Sequence, residues 1–97
     1  MDNNKLYFSK NGVWQNSGVP TSGATGTGAI SITSGLTMTF CGGRDGASDT
    51  ASFNFGNGYF GTTAITSAGS NGNGSLFEYD VPSGFYALNT KNINTYG

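Results

Sequence analysis

KLYFSKNGVWQNSG, residues 5–18, is the stretch whose reading decides the fold. Asn11-Gly12 sits between two β-prone runs. Asn-Gly in that setting is the strongest short-range hairpin signal, because a type I′ corner needs positive φ at both residues. A two-residue loop sets Lys10 opposite Val13, Ser9 opposite Trp14, Phe8 opposite Gln15 and Tyr7 opposite Asn16. Side chains alternate along a strand, so Leu6, Phe8 and Val13 share one face and Tyr7 and Trp14 the other. Both faces carry large apolar groups: one is expected to meet the core, and the other needs a partner.

Working outward, residues 17–28 read as a flexible loop rich in Gly, Ser and Thr, with Pro20. AISIT, residues 29–33, alternates with Ile30 and Ile32 on one face, and Ser34-Gly35 reads as a corner. LTMTFCG follows with Leu36, Met38 and Phe40 inward and Thr37, Thr39 and Cys41 outward. Phe53 and Phe55 share a face in TASFNFG, residues 62–75 form a second polar loop, and SLFEYDV aligns Phe77, Tyr79 and Val81. Pro82-Ser83-Gly84 turns the chain into FYALN, and the tail KNINTYG has no pattern. No window has a period near 3.6 with caps. The reading predicts an all-β chain, a small antiparallel β-sandwich of short strands in one domain over residues 1–97.

Composition narrows the function classes. Gly, Asn, Ser and Thr supply 51 of the 97 residues, whereas charged residues are only 9% and the net charge is −1. Lys5, Lys10, Arg44 and Lys91 are scattered and cannot form a phosphate-tracking stripe, which argues against nucleic acid. The same scarcity leaves sheet edges without their usual charged guards, which points to burial against a like subunit or a neighbouring chain. The single cysteine, Cys41, allows no internal disulfide. Apolar runs are too short to insert into a membrane, and MDNNK lacks a secretory layout, so export would be by lysis or carriage on a larger particle.

Catalytic and metal-binding patterns are thin. Arg44, Asp45 and Asp49 fall in one turn, but two carboxylates four apart are too few for a calcium loop. Glu78 and Asp80 are two apart, the spacing of a solubilising strand face rather than of an acid and base across a cleft. A nucleophile lacks its base because histidine is absent, Cys41 reads as a small strand residue, and Gly26–Gly28 lacks a nucleotide cradle's spacing. Asn73-Gly74-Ser75 matches a glycosylation sequon but carries little without a secretory signal. The expectation is therefore no enzyme, no metal and no cofactor. What remains are Tyr7, Trp14, Tyr59, Phe60, Tyr86 and Tyr96, near turns and beside amides such as Gln15. Rings with polar edges suit either subunit contact or recognition of a glycan, and for Trp14 both readings stand.

The order KLYFSKNGVWQNSG, SFNFG, FEYDVPSGFYALNTKN resembles the C-terminal half of a SPRY domain, of the type found in tailed-bacteriophage structural proteins. The resemblance implies a bent antiparallel β-sandwich that binds or scaffolds without catalysing, as part of a tail fibre, a receptor-binding protein or a capsid surface. The N-terminal strands of that domain have no counterpart in these residues. The resemblance therefore implies either a fragment of a longer domain or completion by homo-oligomerisation or by another virion protein, with Tyr7, Trp14, Gln15, Tyr59, Phe60 and Tyr86 as interface residues. The alternative is a receptor- or glycan-binding module that uses the loop aromatics.

Overall fold

The structure is a computed structural model that describes residues 2–37, 42, 46, 48, 50–60 and 63–97. It divides into two compact units, Met1–Cys41 and Gly42–Gly97.

The first unit is built on the hairpin. β1 (Lys5–Leu6), β2 (Ser9–Lys10), β3 (Val13–Trp14) and β4 (Ile30–Ser31) are each two residues long. β2 and β3 pair antiparallel with Ser9 opposite Trp14 and Lys10 opposite Val13, the register expected from a two-residue loop. Asn11 and Gly12 have φ of 50° and 75°, the positive pair that a type I′ corner requires. The Gln15 N–H still donates to Phe8 O at 2.9 Å, but Asn16 then turns left-handed (φ 55°) and the ladder ends. Tyr7 and Asn16 are thus not a cross-strand pair.

The long loop closes back on the hairpin base. Short 3-10 segments, Gln15–Ser17 and Pro20–Thr25, carry it round, and β4 pairs with β1, Ser31 opposite Lys5 and Ile30 opposite Leu6. Gly28 is where the loop crosses the hairpin's exit: its φ is 68°, and a Cβ there would fall on Asn16 O and the Gly18 backbone. Only glycine fits that crossing.

The second unit has β5 (Tyr59–Phe60) antiparallel to β6 (Thr63–Ala64), with Tyr59 opposite Ala64. It also has a 3-10 turn at Gly72–Gly74 and one helix, α1 (Thr90–Tyr96). Leu76 makes only an isolated parallel bridge to Asn57, so the run 76–81 does not form a ladder.

Two expectations are corrected here. The described residues do not form an all-β sandwich: they hold three separate two-stranded sheets and a helix. A sandwich needs strands long enough to set several side chains on one inner face, and a two-residue strand sets one. Among the described residues no hydrophobic side chain is buried, so no inter-sheet core exists there. The patternless tail is also wrong, since residues 90–96 are helical, capped by Asn89, whose side chain accepts from the Asn92 N–H at 3.0 Å. Of the strand expected across LTMTFCG, Leu36 and Thr37 are not in a strand and Met38–Cys41 lie outside the described residues, as do Arg44, Asp45 and Asp49 of the following turn.

The Gly28 crossing gives a direct test. Gly28→Ala is expected to destabilise the first unit by more than about 2 kcal/mol, from steric conflict plus positive φ. Loss of amide-exchange protection across residues 5–32 measures this, set against a smaller loss for Gly35→Ala, where φ is also positive but a Cβ meets open space.

Candidate functional site

The candidate interface residues fall in both units. In the first, Tyr7 and Trp14 meet edge to face, ring centroids 6.5 Å apart at 78°. Both are half-buried. The same-face assignment of these two rings explains the contact: they project to one side of the hairpin and lean together over Gly18, whose small size admits the Tyr7 ring. The Tyr7 hydroxyl shares a hydrogen bond with Ser22 Oγ at 3.3 Å, and Ser22 Oγ also accepts from the Thr27 N–H at 2.9 Å. Gln15 is exposed, its amide donating back to Val13 O at 3.0 Å. The flexible loop thus becomes a collar that fixes one edge of the aromatic pair.

In the second unit, Tyr59 is 62% exposed on β5. Phe60 is described as a backbone position opposite Thr63. Tyr86 stacks on Tyr96, centroids 3.8 Å apart and planes at 16°. A buried asparagine sets this stack. Asn92, 4% exposed, donates from Nδ2 to Ala87 O at 2.9 Å, which pins the residue beside Tyr86 against α1. Tyr96 lies four residues after Asn92, on the same helical face, and so meets the Tyr86 ring.

The amide network extends further. Asn73 Nδ2 donates to Asn92 Oδ1 at 3.0 Å, Asn92 Nδ2 reaches Ser75 Oγ at 3.4 Å, and Asn89 Nδ2 donates to Phe55 O at 3.0 Å. Asp80, one of the paired acids of the sequence, accepts from the Ser70 N–H at 2.8 Å and the Asn71 N–H at 3.2 Å. Its carboxylate closes a loop, and nothing places it opposite Glu78 across a cleft.

No family model, no curated protein and no solved structure matches the chain. The site is therefore read from its own chemistry. It offers aromatic rings held at fixed angles by hydroxyl and amide hydrogen bonds. Asn92, Asn89 and Asn73 were not singled out as a network from the sequence. The pair Asn89/Asn92, three apart with an N-cap residue first, is the signal that finds α1.

Two outcomes follow. Asn92→Ala leaves Asn73 Nδ2 without its acceptor, removes the contact to Ser75 Oγ and leaves Ala87 O with the Asn89 N–H alone, and is expected to cost about 3 kcal/mol in chemical denaturation, more than Lys10→Ala on the exposed hairpin. Second, the Tyr86 hydroxyl's hydrogen bond raises the Tyr96 phenol above its ordinary pKa of 10.0, with lost hydration and repulsion from Tyr86 acting the same way. That contribution to stability is complete below pH 10.0 and is lost as the pH rises through the folded value. Alkaline titration of phenolate absorbance should show Tyr96 ionising late, a delay that Tyr86→Phe removes.

Proposed function

We propose that this chain is a non-enzymatic structural protein of a tailed-phage virion. It would act on the tail, fibre or capsid surface through protein–protein assembly, with copies of itself and other virion proteins as partners. The phage setting rests on the motif order from the hairpin to FYALNTKN. The assembly reading rests on exposed apolar surface.

Fourteen large hydrophobic side chains among the described residues are at least 38% exposed, and none is buried. Scattered exposed apolar residues are ordinary; this many without a buried counterpart leave the folding free energy short of its main favourable term. Assembly would bury what the chain by itself leaves wet.

Size-exclusion chromatography with light scattering tests this. A mass that is a multiple of 10.0 kDa at micromolar concentration is expected, with Trp14→Asp shifting it downward. A monomer that unfolds cooperatively at that concentration would overturn the reading.

A further inference from the structure

A cavity of about 320 Å³ opens in the second unit between the 3-10 turn, the start of α1 and the segment around Phe55. Phe55, Asn57, Asn73, Ser75, Thr90 and Lys91 are among its lining residues. Its walls are fixed from behind by the asparagine network, since Asn73 and Asn89 spend their Nδ2 groups on Asn92 and on Phe55 O. Lys91 is held too: its ammonium donates to Asn73 O at 2.6 Å and would lie 3.3 Å from a Cβ placed on Gly74. No carboxylate pairs with it among the described residues. The cavity therefore presents a positioned cation with N–H groups to spare. Thr90 Oγ1 has no hydrogen-bond partner among the described residues, and Asn57 uses its Oδ1 on the Tyr59 N–H but not its Nδ2.

We infer that this cavity binds an acidic monosaccharide unit, a sugar ring bearing a carboxylate, with Lys91 as the carboxylate anchor. The volume sits at the lower end of small-molecule pockets, the size class of one or two rings. An ammonium already fixed by a backbone carbonyl loses little freedom on meeting an anion and forms a charge-assisted hydrogen bond. Thr90 and Asn57 supply the short-range donors and acceptors that ring hydroxyls need. Phe55 gives one wall an apolar surface for the ring's C–H face. Neutral sugars would lack the anchor, and simple carboxylates would lack the hydroxyl contacts. The inference does not depend on assembly: it concerns a cavity contained in the second unit.

The test is a titration of isotope-labelled full-length protein, followed by amide shifts, with four probes. These are the methyl glycosides of glucuronic acid and of N-acetylneuraminic acid, methyl glucoside, and acetate. Saturable shifts at Thr90, Lys91 and Asn57 are expected with at least one acidic glycoside and not with methyl glucoside. Lys91→Gln should weaken binding by about tenfold or more, and Lys91→Arg should retain it. Thr90→Val, which leaves the bond from Lys91 to Asn73 O in place, should weaken it as well and covers the case in which Lys91→Gln disturbs α1. The inference is overturned if the acidic and neutral glycosides behave alike, if acetate competes as well as the sugars do, or if binding ignores both substitutions.

Discussion

Left-handed backbone is the constraint on which this structure depends. Eleven glycines and six other residues among those described have positive φ, and they recur every few positions from Asn3 to Gly84. Several of them bound the short strands, because a strand keeps φ strongly negative: Asn4 precedes β1, Asn11 and Gly12 separate β2 from β3, Asn16 follows close on β3, and Gly58 precedes β5. Among the described residues the ladders stop at two residues, in the hairpin of β2 and β3 as in the pairing of β1 with β4 and of β5 with β6. Asparagine tolerates this region because its short amide bonds locally, so Asn11, Asn16 and Asn73 stand where most side chains would be strained.

With ladders so short, cohesion passes to side-chain polar groups. Asn92 joins α1 to Ala87, Ser75 and Asn73; Asn54 Nδ2 donates to Leu76 O at 2.8 Å; Asn71 Nδ2 donates to Val81 O at 2.9 Å. In the first unit Ser22 and Asn16 do similar work, Asn16 Nδ2 reaching Gly28 O at 3.3 Å. Such bonds are directional, and they hold loops at fixed separations without an apolar interior. They also leave the rings outside. Among the described residues Phe8, Tyr59 and Tyr79 are therefore exposed and Tyr7 and Trp14 half-buried, rather than consumed in a core.

The parts of the fold legible in the sequence are those fixed by local chemistry. Asn11-Gly12 dictated its corner and with it the facing pairs Ser9/Trp14 and Lys10/Val13, because a two-residue turn leaves one register. The contact between Tyr7 and Trp14 followed from the same alternation. The sandwich was not legible, because alternation at Phe77, Tyr79 and Val81 describes a strand only if a neighbouring strand pairs with it. A one-bridge contact at Leu76 does not supply one. The helix was missed for the converse reason: TKNINTY has no apolar stripe, and its stability comes from a polar residue, Asn92, turned inward. The asparagine network and the Lys91 cavity join residues from 54 to 92 through side-chain reach, which sequence spacing does not encode.

The asparagine network has a further property. Its members are uncharged, so they neither titrate nor attract counterions, and the strength of their bonds does not fall as the Debye length shrinks. The loop closed by Asp80 differs, since the charge of a carboxylate on backbone N–H groups is open to screening by salt. The second unit thus combines a frame indifferent to ionic strength with a peripheral clasp, at residues 69–71, that is sensitive to it. Between dilute and concentrated media the frame holds while the clasp loosens.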